Sequence, residues 1–254
     1  VELTGRSAIV TGGSGGLGAA TVRQLAAAGM GVVVFDRDDA GASALAATLP
    51  SGAAVGGDVN DDGDVAGAIE AAQGLGPLSL VVNVAGGGIS ARTVSRDGTP
   101  HDMDAFKGVM ALNAFGTFNV TRLAASAMAG NEPDDDGQRG VVVNTASIAG
   151  IEGQTGQIAY GAAKAAILGM TLPLARDLAA IGVRVCAIAP GTMGTPLMMS
   201  APEAFRDQLT ANIINPKRMG FPEEFGLLVE QIARNSYLNG ENIRLDGALR
   251  FPPK

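Results

Sequence analysis

Tryptophan is absent, histidine and cysteine occur once each, and aromatic residues make up only 4% of the 254-residue chain. A single cysteine, Cys186, excludes any disulfide within the chain, and the run Val183-Arg184-Val185-Cys186-Ala187-Ile188 reads as a buried strand. A single histidine, His101, excludes a histidine cluster around a metal and argues against a histidine-based catalytic relay. Lying between Pro100 and Asp102, it reads as a surface residue, and no metal is expected. Basic residues are also few, 18 against 25 acidic ones for a net charge of -7, and none are clustered. The chain thus lacks the positive patch that nucleic acid or an anionic membrane surface would attract, and neither is expected as a partner. No run of about 18 apolar residues and no apolar leader appear, so a soluble, cytoplasmic chain is the expectation.

What the chain has is small apolar residues. Hydrophobic residues make up 46% of it and glycines number 37, so the core must be built from Ala, Val, Ile and Leu, with helices packed close to a sheet. Strand-like runs stand at Ser7–Val10, Gly31–Phe35, 53–57, Leu78–Val82, Val141–Asn144, Val183–Ile188 and Glu241–Gly247. Helix-like stretches alternate with them, at Ala19–Ala28 closed by Gly29 and, through Pro173, over Ala165–Ala180. Alternation of this kind is the pattern of an α/β fold with a parallel sheet.

Polar residues fall where these strands end. Between the first strand and its helix lies Thr11-Gly12-Gly13-Ser14-Gly15-Gly16-Leu17-Gly18, a turn whose glycines let backbone N–H groups and a helix amino terminus approach a phosphate. Asp36, about 20 residues further on, is placed to take the hydroxyls of an adenosine ribose, or else to cap the next helix, a task open also to Asp38 and Asp39. Asp61, Asp62 and Asp64 lack the spacing of a calcium loop and read as a helix start. Asn113 interrupts a helical pattern, where an amide is costly unless it bonds something. Ser147 follows a strand. Tyr160 and Lys164 are four apart, which on a helix sets phenol and ammonium on one face. An unperturbed phenol titrates near 10, and bringing it close to neutral takes about 3 to 4 kcal/mol of help from a cation. Each feature alone has an ordinary structural explanation; their order along the chain does not.

Taken together, Thr-Gly-x-x-x-Gly-x-Gly at Thr11, Gly12, Gly16 and Gly18, Asn83-Val84-Ala85-Gly86, Asn113, Ser147, Tyr160-x-x-x-Lys164 and Pro190-Gly191 resemble the short-chain dehydrogenase/reductase family. Val84 stands where relatives carry a second Asn, and Ala163 where many carry Ser. The resemblance spans the chain and implies one Rossmann-like, doubly wound domain over 1–254, with a mostly parallel seven-stranded sheet between two helical layers. It adds insertions near 87–104 and 130–140 and a substrate lid near 197–210. It further implies NAD, held by Gly12, Gly15, Gly16, Leu17, Gly18, Asp36, Asp58, Val59, Asn83 to Gly86, Tyr160, Lys164, Pro190, Gly191, Met193 and Thr195. Tyr160 would be the acid/base, Ser147 the group that polarises the substrate, Lys164 the cation that lowers the phenol's pKa, and Asn113 a support for a water relay. Gln154 and Gln157, with Ser147 and Tyr160, would line the substrate mouth.

Asn131-Glu132-Pro133, Gly137-Gln138-Arg139-Gly140, Glu152-Gly153-Gln154 and Gly169-Met170-Thr171-Leu172-Pro173 are similar to one subgroup, the type II 3-hydroxyacyl-CoA dehydrogenases, also described as hydroxysteroid dehydrogenases. That points to an acyl-CoA-type substrate; a homotetramer is expected as well, because the last strand runs into apolar Ala248-Leu249 and Phe251-Pro252-Pro253, an edge prone to pairing unless another subunit covers it. A 3-oxoacyl-carrier-protein reductase is the rival enzyme, opposed by Asp36 and by the acidic stretch 131–136; a catalytically idle NAD-binding scaffold or redox sensor is the rival outside enzymes.

Overall fold

The computed structural model describes residues 1–252. In chain order the elements are β1 (Ser7–Thr11), α1 (Gly16–Ala27), β2 (Gly31–Asp36), α2 (Asp39–Ala46), β3 (Gly52–Gly56), α3 (Asp62–Leu75), β4 (Leu78–Asn83), α4 (Met103–Met110) and α5 (Gly116–Met128). There follow β5 (Gly140–Thr145), α6 (Ile158–Leu178), β6 (Val183–Pro190), α7 (Pro196–Met199), α8 (Glu203–Thr210), α9 (Pro222–Arg234) and β7 (Asn242–Leu245). The strands form one sheet in the order β3-β2-β1-β4-β5-β6-β7. Every strand pairing is parallel, so the sheet is more uniform than the mostly parallel one expected.

Strand residues divide between two cores, by parity except at the start of β4, where Leu78 joins the face of Val81. Ala8, Val10, Val32, Val34, Leu80, Val82, Val141, Val143, Cys186 and Ile188 face α1, α2 and α9. Ile9, Val33, Phe35, Val81, Val142, Val183 and Val185 face α3, α5 and α6. Both faces being buried, the strands read as continuous apolar runs rather than alternating ones. Cys186 is fully buried, and burial pushes its thiol pKa up, which leaves it inert.

Acidic residues start the helices as their spacing suggests. Asp38 accepts a hydrogen bond from Gly41 N, Asp61 from Gly63 N and Asp64 N, and Asp102 from Asp104 N and Ala105 N. Gly29, at φ +92°, ends α1. Helix α6 runs through Pro173 and, with its continuation to Ile181, is long and apolar enough by composition to cross a membrane, which the sequence alone did not suggest. Here it lies along the sheet and buries Lys164.

The acidic segment 130–140 lies at the amino ends of the strands. Asn131 Nδ2 donates to Leu78 O at the start of β4, and Gln138 Nε2 to Ser236 O. Arg184 completes this end, buried without a carboxylate partner: its guanidinium donates to Ile232, Ala233 and Leu238 carbonyls at the close of α9 and to Gln138 Oε1. The residues of chemical interest gather at the opposite, carboxyl ends, where the strand order reverses between β1 and β4 and a crevice opens.

Candidate active site

The crevice is a cleft of about 580 Å³. Its floor is the glycine turn, where contact demands Gly12, Gly16 and Gly18. A Cβ on Gly12, whose φ is +60°, would fall 2.9 Å from Ala85 N and Cα. One on Gly18 would fall 2.0 Å from Gly12 O, and one on Gly16 2.7 Å from Thr195 Cβ. Thr11 Oγ1 accepts from Val84 N and Ala85 N, both at 3.0 Å, and so ties the turn after β1 to the turn after β4. Gly15 brings no capping side chain to α1, so the first-turn N–H groups of that helix face an anion-sized space. These features fit the pyrophosphate of a dinucleotide.

Twelve of the residues expected to hold the cofactor line this cleft: Gly12, Gly15, Gly16, Leu17, Gly18, Asp36, Asp58, Val59, Val84, Ala85, Gly86 and Thr195. Asp36 does not cap α2, since Asp38 does. Its Oδ2 accepts from Ser14 N at 3.0 Å and Ser14 Oγ at 2.7 Å, and its Oδ1 from Asp38 N at 3.1 Å. Ser14, Phe35, Arg37, Gly57, Leu112, Pro196 and Leu197 complete the lining. Ser14 and Gly57 adjoin motif residues and could have been inferred; Phe35 and Leu112 read only as core.

Six expected residues are not in its lining: Tyr160 and Lys164, which belong to a separate group with Asn113 and Ser147, and four more. Asn83 is buried and donates its amide to Asn144 Oδ1 at 2.9 Å and Thr121 Oγ1 at 3.2 Å, joining β4 to β5. Pro190 is a buried strand end, Gly191 N donates to Leu245 O, and Met193 is buried beside Gly220. The turn after β6 is held toward β7, which is what turns these residues away.

The second group sits beside Gly86. A Cβ there would be 2.6 Å from Asn113 Oδ1 and 3.2 Å from Lys164 Nζ, so cleft, amide and ammonium meet at one glycine. Asn113 Nδ2 donates to Gly87 O at 2.7 Å and to Val109 O at 2.8 Å. Val109 O is the acceptor four residues back that a regular helix would reserve for its own backbone, and the helix widens into a π turn over Ala111–Phe115. Ser147, two residues past Thr145 at the end of β5, caps a single 3-10 turn, Ile148–Gly150, by accepting from Ala149 N at 3.1 Å. Tyr160, in the first turn of α6, shares a hydrogen bond with the Ser147 hydroxyl. A Cβ on Gly88 would lie 2.7 Å from the Tyr160 ring, so the chain after β4 closes directly over the phenol. Lys164 Nζ donates to Thr145 O at 2.7 Å and lies 5.7 Å from the centre of the Tyr160 ring.

The electrostatics bear on the expected role of the cation. Burial pushes the Tyr160 phenol up, and the Ser147 hydrogen bond pulls it down. Burial instead lowers Lys164 itself, to about 7. An ammonium spent on a backbone carbonyl and stripped of water is costly to keep charged, so the pair rests as a neutral phenol beside an amine near its titration midpoint.

Gln154 and Gln157 line a different cavity, of about 600 Å³, with Arg92 and Gly161, and Gln154 Nε2 donates to Pro252 O at 3.2 Å. Neither Ser147 nor Tyr160 lines that cavity. His101 is not a surface residue: it is half-buried, edge-on to Phe106, and both ring nitrogens are shielded without a partner among the described residues. Also among the described residues, no group of three His, Cys, Asp or Glu side chains could hold a metal ion.

The family model for short chain dehydrogenases matches residues 6–205. The human 3-hydroxyacyl-CoA dehydrogenase type-2 is 46% identical over 99% of this chain and 98% of its own length. The Drosophila melanogaster protein of the same name is 46% identical over 96% of this chain and 97% of its own. The crystal structure of 3-hydroxyacyl-CoA dehydrogenase type-2 from Mycobacterium avium superposes with a TM-score of 0.97 at 50% identity, covering 98% of each chain.

Proposed function

The chain belongs to the short-chain dehydrogenase family, and from that premise we propose that it interconverts 3-hydroxyacyl-CoA and 3-oxoacyl-CoA with NAD as its dinucleotide. That it is an oxidoreductase follows from the family and its relatives; substrate, dinucleotide and residue roles are the proposal. The observation that carries it is the meeting of Ser147, Tyr160, Lys164 and Asn113 at the edge of the glycine-floored cleft.

In the proposed reaction Tyr160 takes the hydroxyl proton of the alcohol, or returns it to the ketone. Ser147, already bonded to the phenol, donates to the substrate oxygen as it gains charge, a contribution that is largest where donor and acceptor are shielded from water. Lys164 becomes charged as the phenol loses its proton, and Asn113 holds the Gly86-Gly87 backbone against it. The glycine turn, Asp36 and Thr195 hold the dinucleotide, which when bound supplies the two-electron acceptor or donor. Residues 197–210, carrying α8, form the substrate lid, and the residues that lead into it, Thr195 and Pro196, rest on Gly16.

The names of the relatives support acyl-CoA rather than a free acid. Acetoacetyl-CoA is therefore expected to be reduced with NADH far more efficiently, in kcat/KM, than acetoacetate, because the nucleotide and pantetheine parts add binding energy remote from the reacting carbon. Equal efficiency for both, with a steroid much better, would move the assignment to hydroxysteroids. The acidic stretch 131–136 does not bear on a carrier-linked substrate, being at the far end of the sheet.

A homotetramer is proposed on different grounds from those the sequence offered. The apolar tail residue Leu249 is already buried within the chain. The uncovered apolar surface includes Phe115 and Phe118 around α5 and Ile158 and Leu172 on α6, between 45% and 62% exposed. Helix faces of this kind mark a subunit contact. Light scattering at micromolar protein should give four times the chain mass; a monomer would remove the proposal.

A further inference from the structure

Three separate segments meet behind Ser147. Ile148 packs with Ile213, which follows the lid, and with Leu249, all three at most 3% exposed, while Phe251 covers them from the carboxy-terminal tail. Two consecutive turns bind the serine to Glu152: Gly150 N donates to Ser147 O at 3.0 Å, and Glu152 N to Ile148 O at 2.8 Å. The Glu152 carboxylate then grips the tail with both oxygens. Oε1 accepts from Arg244 Nη1 at 2.7 Å and lies 3.4 Å from Arg250 Nε, and Oε2 accepts from Phe251 N at 3.0 Å. Arg244 is itself fixed, donating through Nε to Asp246 Oδ2 at 2.7 Å and through Nη2 to Leu249 O at 2.9 Å.

The serine loop has a second support on the other side, where Gly150 presses on α6 so closely that a Cβ would fall 2.7 Å from Ala165 N. That support fixes the middle of the loop. It does not fix rotation of the Ser147 hydroxyl about it, and Ser147 Oγ is otherwise held only by Ala149 N and Tyr160. We infer that Glu152, through Arg244 and the carboxy-terminal tail, is a positioning residue for Ser147 in the alcohol–ketone reaction. The inference rests on the role proposed above for Ser147.

The ion pairs are half-shielded, with side-chain exposure of 22% and 23% for Arg244 and Glu152, and the carboxyl is held below the usual range by the Arg244 hydrogen bond. The clamp therefore stays formed through mildly acidic pH. Glu152→Gln keeps the shape, removes the charge and points an amide at a guanidinium. Its kcat is expected to fall about tenfold, with the NADH dissociation constant and substrate KM within about threefold of wild type. Since the Ser147 hydrogen bond favours the Tyr160 phenolate, the pH profile of alcohol oxidation should also move to higher pH; among the described residues Lys164 is the titratable group beside the phenol, and it is untouched. Glu152→Asp, keeping the carboxylate, should restore part of kcat.

A variant that melts earlier but keeps wild-type kcat per NADH-binding site and an unmoved pH profile would make Glu152 merely structural and overturn the inference. Ser147→Ala separates the two layers. If it keeps wild-type kcat, the role of the serine is wrong; if it loses turnover while Glu152→Gln does not, the clamp is wrong. Should Glu152→Gln fail to fold, Arg244→Lys, which retains the charge and loses the fork, reads the same coupling from the tail.

Discussion

Tyr160→Phe is expected to bind NAD as the wild-type enzyme does and to lose about 10²- to 10⁴-fold in kcat, the range in which general acid/base groups act. The substitution removes one oxygen and leaves the ring under Gly88 and against Val109 and Ala163, so packing is preserved. No other described group could take over the proton directly. Lys164 Nζ is committed to Thr145 O, and Ser147 is too weak an acid to return a proton at neutral pH. The resting pKa values sharpen the expectation. With the phenol raised and Lys164 near 7, the ground state is set for donating a proton to a ketone; abstracting one from an alcohol requires Lys164 to be charged as the phenolate appears. Removing the phenol should therefore abolish both directions, and a variant retaining a tenth of wild-type turnover would show that another group carries the proton. Cofactor titration of the same variant, unchanged, excludes a collapsed cleft.

The carboxyl ends of the strands were legible because two kinds of local signal coincide there. The run Ser7–Val10 followed at once by glycines, or Val141–Asn144 followed by Ser147, says both that a parallel strand ends and what chemistry it delivers. Where only one signal operates, the sequence is silent. Asn83 ends β4 just as Ser147 follows β5, but whether its amide turns to the cleft or across to Asn144 depends on the neighbouring strand. The segments 87–104 and 130–140 are both polar and irregular, and nothing within either says at which end of the sheet it lies; connectivity does, since 130–140 enters β5 and must lie at its amino end. His101 sits in a polar stretch whose hydrophilicity hides the fact that the loop folds its imidazole against Phe106. The resting state of Lys164 was hidden for a related reason. Spacing of four puts Lys164 on the same face as the phenol, but the β5 carbonyl that takes its ammonium is far away in sequence.

NAD is expected to be preferred over NADP by roughly 30- to 1000-fold in kcat/KM. The argument rests on Asp36, whose carboxylate lines the cleft after β2. NADP carries a phosphate where a ribose hydroxyl would otherwise donate to that carboxylate. Two unit charges about 4 Å apart at an effective dielectric near 20 repel by about 4 kcal/mol, and screening leaves about 2 to 4. At 1.4 kcal/mol per decade that gives the range stated. The usual escape, a carboxylate swinging away from the phosphate, is closed here. Asp36 is held by Ser14 N and Oγ on one oxygen and by Asp38 N on the other, so moving it would break three hydrogen bonds and loosen the glycine turn itself. Arg37 is the counterargument, since it also lines the cleft and could pair with a phosphate. It is an exposed side chain, however, and an exposed ion pair is worth at most about 1 kcal/mol, too little to offset a fixed anion. Asp36→Ala, which leaves Arg37 in place, should bring the two cofactors within about threefold of each other. A wild-type ratio near one would mean that Asp36 serves only to hold Ser14 and leaves the ribose to other groups.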